Sequence, residues 1–288
     1  MKSLVTKLLS EAPVITDGAW GSMFLAAGLP PGELGDLWNL THPDRVAAVP
    51  RAYVEAGSRI ILTNTFRSNR ITLAAHGLED KIVELNRAGV EISREAAAGR
   101  ALVFGSTGPT GKLLMMGETT REELLDVFSE QFEILASAGV DALIIETMSD
   151  LEEATIAVEA ARRTGLPVVA CMVYDSGKNK DRTMMGVTPE QAARALEEAG
   201  ADIIGANCGQ GPSGYVSICR RLSAATDLPL WIKPNAGLPE LVEGRTVYRT
   251  TPQEFAVQMP SIIAAGASFV GGCCGTTPDY IRAMAAKI

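Results

Sequence analysis

Eight short apolar or β-branched runs punctuate the chain: Val14-Ile15-Thr16, Ser58 to Thr63, Ala101 to Ser106, Ala142 to Glu146, Pro167 to Val173, Asp202 to Ala206, Leu230 to Lys233, and Ser268 to Gly271. They are continuous rather than alternating, the pattern of strands buried on both faces. A helical pattern follows each, so the chain predicts βαβ units around a parallel sheet. Ala-Gly closes a helical stretch ahead of an apolar run at Ala56-Gly57, Ala138-Gly139, Ala199-Gly200 and Ala265-Gly266. Glycine suits the left-handed residue that ends a helix. Thr119 with Glu122 and Thr188 with Gln191 have capping-box spacing. Thr188-Pro189, Thr251-Pro252 and Thr277-Pro278 place threonine at the cap and proline in the first turn.

Eight βα units with right-handed crossovers close naturally into a barrel. No Ser/Gly/Pro-rich linker divides the chain, so the expectation is α/β: a single (β/α)8 TIM barrel over residues 1–288. Two connections are long, Gly18 to His42 and Tyr174 to Gly186. Insertions at strand C-terminal ends are where barrels build their sites.

Composition narrows the class. At 288 residues, 47% hydrophobic and 21% charged, the chain is ordinary for a globular protein. A formal net charge of −8 argues against a nucleic-acid partner, which needs a basic face. The N-terminal segment has no long apolar core or small-residue cleavage site, and no run is long enough to span a bilayer. Five cysteines in a chain this size do not make a disulfide scaffold. The expected setting is therefore the cytoplasm, where thiols stay reduced, with no membrane partner.

The cysteines carry the chemistry. Cys208 ends the run Ala199-Gly-Ala-Asp-Ile-Ile-Gly-Ala-Asn-Cys, and Cys273-Cys274 end Ala265-Gly-Ala-Ser-Phe-Val-Gly-Gly-Cys-Cys. Three thiolates converging from two strand ends make a zinc site with room for a fourth ligand, a catalytic layout rather than a structural one. Structural sites use paired knuckles such as C-x-x-C, and none is present. A vicinal disulfide between Cys273 and Cys274 needs a strained ring, and Cys171 and Cys219 read as inert buried thiols. Other polar residues share the same predicted rim: Asp17, Asn64, Ser106-Thr107-Gly108, Glu146-Thr147, Asn207, and Lys233-Pro234-Asn235. The two histidines, His42 and His76, are not at predicted strand ends and read as surface or packing residues.

Asp17-Gly-Ala, Thr63-Asn-Thr-Phe, Glu146-Thr, Gly205-Ala-Asn-Cys-Gly, Lys233-Pro-Asn-Ala-Gly and Gly272-Cys-Cys-Gly-Thr-Thr together resemble the signatures of the zinc-dependent homocysteine S-methyltransferase family. The resemblance runs from about Val14 to Ala283, and the strand-seven motif is most similar to the homocysteine module of cobalamin-dependent methionine synthase. It implies a methyltransferase that takes homocysteine to methionine, with Zn2+ on Cys208, Cys273 and Cys274 as metal and catalytic centre. It implies that Asp17 and Glu146 hold the substrate amino group, that Asn64 belongs to the binding set, and that Asn235 fills the fourth zinc position when substrate is absent. Backbone N–H groups of the Ser106-Thr107-Gly108 turn are candidates for the substrate carboxylate. The donor stays open: a small onium compound such as S-methylmethionine or a betaine, or a methylcorrinoid on a separate protein. Trp20, Phe24 and Trp38 are the expected lining of the mouth, where aromatic faces attract an onium cation or dock a protein. Met115-Met116 and Met184-Met185 read as gap filling near the rim. Two other classes remain: a corrinoid-partner subunit using another donor or thiol acceptor, and a redox or metal-storage protein, which leaves Asp17, Asn64 and Glu146 without a role.

Overall fold

The structure, a computed structural model, describes residues 2–30, 32–242 and 245–288. Among the described residues, ten strands occur in chain order: β1 (Val14–Ile15), β2 (Ile60–Leu62), β3 (Leu102–Thr107), β4 (Ala142–Met148), β5 (Val168–Met172), β6 (Ile203–Asn207), β7 (Leu230–Lys233), β8 (Pro239–Val242), β9 (Arg245–Tyr248) and β10 (Ala267–Val270). Eight of them pair in parallel in the order β1-β10-β7-β6-β5-β4-β3-β2. A parallel bridge from Thr16 to Ile60 joins the first strand to the last, so the sheet is a (β/α)8 TIM barrel with helices outside. Every predicted run overlaps one of these eight strands, and β3, β4, β6 and β10 reach one or two residues beyond it.

Both faces of the sheet are apolar, which is why the runs do not alternate. Ile60, Leu62, Phe104, Ala142, Ile144, Val169, Cys171, Ile203, Trp231 and Phe269 pack within the barrel. Their neighbours Ile61, Val103, Leu143, Ile145, Val168, Ala170, Ile204, Ile232 and Val270 pack against the helices. Trp231 stacks between Phe104 and Phe269, with ring centroids 5.7 and 5.5 Å away. A helix over Ser3–Leu9, not foreseen from the sequence, adds Val5 and Leu8 to the inner cluster and closes the N-terminal end of the barrel. Burying each of those side chains stabilises by roughly 1.5–3 kcal/mol. Lys2 tethers this helix through a 2.8 Å bond to the Gly165 carbonyl.

Local signals act mostly as predicted. Gly57, Gly139 and Gly200 end helices at φ 109°, 93° and 98°. Thr188 and Thr251 form full capping boxes with Gln191 and Glu254. The helix Arg121–Ala138 is capped one residue later than expected, by Thr120 bonded to the Glu123 amide. Thr119 instead donates its hydroxyl to the Glu123 carboxylate at 2.9 Å. The antiparallel hairpin of β8 and β9, also unforeseen, lies between β7 and the helix Pro252–Ala264. Its first strand is exposed throughout, so no core pattern marks it. Among the described residues no helix is long and apolar enough to cross a membrane.

Candidate metal and substrate site

The sheet order explains how the cysteines meet. Strand β7 lies between β6 and β10, so the tail after β7 is bracketed by the two tails that carry cysteines. The Cys208 amide donates to the Lys233 carbonyl at 3.1 Å, and the Cys273 amide donates to the Pro234 carbonyl at 2.8 Å. Ala236 donates in turn to the Cys274 carbonyl at 2.9 Å. Close approach of the β10 tail requires glycine. A Cβ on Gly271 would stand 2.0 Å from Thr16 Oγ1, and one on Gly272 would stand 2.3 Å from Thr276 Oγ1. Cys208 itself takes a left-handed φ of 64°, costly for a residue with a Cβ and held here by the ladder around it.

Cys208, Cys273 and Cys274 bring their sulfurs within 4.8 Å of one another, and Cys208 Sγ to Cys274 Sγ is 3.8 Å. Tetrahedral zinc–sulfur bonds of about 2.3 Å separate two sulfurs by about 3.8 Å, so the spacing fits a thiolate-bound zinc ion. Asn235 Oδ1 is buried and takes no hydrogen bond, the condition of an oxygen free to ligate. The thiols lie against one another, with Cys208 Sγ and Cys274 Sγ sharing a hydrogen bond; contact with the other two holds the Cys208 thiol down, and contact with Cys208 holds theirs up. Cys171 and Cys219 stand apart and buried, as expected of inert thiols.

A cavity of about 430 Å³ opens onto these sulfurs, and its wall also carries Ser106, Glu146, Thr147 and Lys233. Glu146 accepts from Ser106 Oγ at 2.5 Å and from Asn207 Nδ2 at 3.4 Å. Burial pushes its carboxyl pKa up, while the Lys233 ammonium and the Ser106 hydroxyl oppose the shift. Lys233 is a cation the sequence reading did not assign to the site. It lies 2.5 Å from Asp17 Oδ1, with both side chains almost fully buried. Burial opposes its charge, yet Asp17 and Glu146 together hold its pKa above the usual lysine value.

The expected substrate residues separate. Ser106, Glu146 and Asn64 line the cavity, whereas Asp17, Thr107 and Asn235 do not line it. Besides Lys233, Asp17 accepts from the Leu62 amide and Trp20 Nε1, both at 2.9 Å. Asn64 commits its amide to the Gly35 carbonyl and Asn39 Oδ1, which pins the first long connection to the rim. In the candidate carboxylate turn, the Ser106 amide donates to Thr63 Oγ1 and the Gly108 amide to the Phe66 carbonyl. Two of its three N–H groups are therefore already used. Trp20 and Phe24 line the cavity together with Leu25, Leu29 and Phe66, whereas Trp38 is buried against Phe24. Met115, Met116 and Met184 are exposed rather than filling gaps, and both histidines are exposed.

Three further residues complete the geometry. Asn207 accepts from the Thr147 amide at 2.8 Å and donates to Thr147 Oγ1 at 2.7 Å. This fixes Thr147 at φ 63°, an unusual conformation for a β-branched residue. Asn207 Nδ2 also lies 3.7 Å from Cys273 Sγ, linking the carboxylate and the thiols. Tyr248, on β9, lays its ring over Gly275, where a Cβ would fall 2.4 Å from the ring. The positions of Asn207 beside Cys208 and of Lys233 at the end of a predicted strand were the available signals; nothing in the sequence joined Tyr248 to the cysteines.

The sequence model for homocysteine S-methyltransferases matches residues 14–288. The methionine synthase of Mycobacterium leprae is 33% identical over 296 residues, covering 97% of this chain and 24% of the relative. That of Mycobacterium tuberculosis is 33% identical over 300 residues, covering 98% and 25%. The chain thus spans about a quarter of the length of these relatives. Among solved structures, the metallated homocysteine methyltransferase MmuM from Escherichia coli superposes with a TM-score of 0.82 at 24% identity, covering 99% of both chains; it attests the barrel fold. With the match extending through the strand ends that gather Cys208, Glu146 and Cys273-Cys274, the chain belongs to the homocysteine S-methyltransferase family.

Proposed function

We propose that this chain methylates the sulfur of homocysteine, giving methionine, at a zinc site made by Cys208, Cys273 and Cys274. The observation that carries the reading is the shared cavity: three converging sulfurs and the buried Glu146 carboxylate on one wall. Bound zinc would lower the pKa of an entering thiol, so that thiolate is available at neutral pH. The chain's own part is orientation. Glu146 receives the substrate ammonium, Ser106 fixes the carboxylate rotamer, and Lys233 with Asp17 keeps the local charge near balance. A lone pair of the acceptor sulfur forms the new S–CH3 bond, and the electron pair of the broken bond leaves with the donor. No general base is needed on the wall, in keeping with the exposed positions of both histidines.

For the donor, we favour a methylcorrinoid carried by a separate protein. Leu25, Met115, Met116, Met184, Leu238, Leu241 and Val242 are exposed, and all follow the C-terminal ends of barrel strands. Apolar side chains gathered at the end where the cavity opens suit a protein partner. The onium alternative is supported by Trp20, Phe24 and Phe66 on the wall with Glu33 and Asp36. A methyl-transfer assay with homocysteine decides between them, using methylated corrinoid protein, S-methylmethionine and betaine, each with added zinc or chelator. Turnover of either small donor by the chain alone would overturn the corrinoid assignment. Failure of every donor, or turnover unaffected by chelation, would overturn the zinc-methyltransferase reading.

A further inference from the structure

The turn that carries Cys208 is held in an unfavourable conformation. Cys208 and Gly209 are both left-handed, at φ 64° and 67°. For a residue with a Cβ this persists only where the surroundings over-determine it. The Cys208 carbonyl accepts from the Gln210 amide and from the Tyr215 hydroxyl, both at 2.7 Å. The Gln210 carbonyl accepts in turn from the Asn235 amide at 2.9 Å. The backbone of Gln210 therefore joins two residues of the candidate metal shell. Its buried side chain reaches the other way. Nε2 donates at 2.8 Å to the carbonyl of Lys180, in the connection Tyr174 to Gly186. Arg221 fixes that connection one residue further on, through a 2.6 Å contact with Asp181. Oε1 lies against Gly214 in the first turn of the helix Pro212–Ser223, where a Cβ would fall 1.9 Å from it. Glycine is a poor helix former, and a seat for the Gln210 amide is what this one provides.

We propose that Gln210 is a positioning residue for the metal site, anchoring the Cys208 and Asn235 tails to the loop after β5, and that Gly214 is the notch that seats it. With the turn so held, Cys208 Sγ stands 3.8 Å from Cys274 Sγ, which is about the separation two sulfurs take on one zinc ion. A site already at its bound spacing loses little freedom when the metal enters, and affinity gains accordingly. Without the side-chain anchor the turn over 208–210 relaxes toward unstrained backbone. That swings the Cys208 sulfur away from the other two and loosens Asn235 with it. This inference rests on the proposed zinc site but not on the identity of acceptor or donor.

The test reads metal binding rather than turnover. Zn2+ affinity is measured by competition with a chelating dye, and the visible bands of the Co2+-loaded protein report tetrahedral sulfur coordination. Gly214→Ala leaves Gln210, Asn235 and every cysteine in the sequence, and alanine is the better helix former; the added methyl group evicts the Gln210 amide. It should lower Zn2+ affinity about tenfold, the low end for groups that orient metal ligands, and should shift and weaken the cobalt bands. Gln210→Ala should do the same. In the double variant the new methyl fills space the amide has left, so the loss should match that of Gln210→Ala alone. Melting curves of the zinc-free variants, followed alongside, ensure that affinity is read on folded protein. Unchanged affinity and bands in either single variant, or losses that add in the double, overturn the inference. A parent protein without cobalt–thiolate bands overturns the metal reading and this inference with it, so the two failures are distinct.

Discussion

Lys233→Met is the sharpest perturbation the structure offers. The ammonium lies 2.5 Å from Asp17 Oδ1, and the two side chains are 3% and 0% exposed. Methionine keeps the stem volume and deletes the charge. Asp17 retains its bonds from the Leu62 amide and Trp20 Nε1 but becomes a buried anion without a counter-charge. Glu146 also loses the cation that opposes its burial. Breaking a buried pair by removing one partner costs about 3–5 kcal/mol. At roughly 2–4 °C per kcal/mol for a domain of this order, the melting temperature should fall by about 6–20 °C. The assay is urea unfolding of the parent, Lys233→Met, Asp17→Asn and the double variant, with zinc held constant. The amide oxygen of the substituted asparagine can still accept both remaining hydrogen bonds, so the double variant should recover at least half of the loss. A cost below about 1 kcal/mol for Lys233→Met, or a double variant no better than the single, would refute the view that the pair is a mutually dependent buried unit.

Other outcomes follow from the same geometry. Glu146→Gln should retain zinc and weaken homocysteine binding by about 2–5 kcal/mol, read by titration calorimetry; normal binding with lost zinc would reverse the assignment. Burial raises the carboxyl pKa of Glu146, Asp36 and Glu153, so each binds a proton more readily folded than unfolded. Folding stability from these groups therefore rises as pH falls toward the ordinary carboxylate range, and Glu153→Gln should flatten that trend in zinc-free protein between pH 7 and 5. At lower pH the opposite sign takes over: Glu190, bonded by Arg221 and held down to about 2, loses its contribution as pH falls from the ordinary range toward that value. Gly108→Ala should destabilise the barrel or shift the loop after β2, because its Cβ would meet the Phe66 ring at 2.4 Å; an unmoved loop in a crystal structure of the variant with an unchanged melting temperature would refute it.

The sequence by itself determined the barrel. Continuous apolar runs, glycine stops and Thr-Pro starts are local signals, and they reappear as β1 to β7 and β10 and as the caps at Thr188, Thr251, Gly139 and Gly200. It also placed the cysteines at strand ends, which in a parallel barrel is enough to bring them to one rim. Two elements escaped because their signal is not local. The helix Ser3–Leu9 buries only Val5 and Leu8, and the hairpin strand β8 buries nothing. Tertiary structure alone decided the charge pattern of the site. Asp17 and Lys233 are adjacent only because β1 and β7 flank β10, which puts the Asp17 carboxylate in a buried ion pair. Asn207 joins Glu146, Thr147 and Cys273 through contacts across separate strand ends. Periodicity reports which face of an element is buried, whereas hydrogen-bond partners depend on distances of a few tenths of an ångström between distant parts of the chain, which only the closed barrel sets.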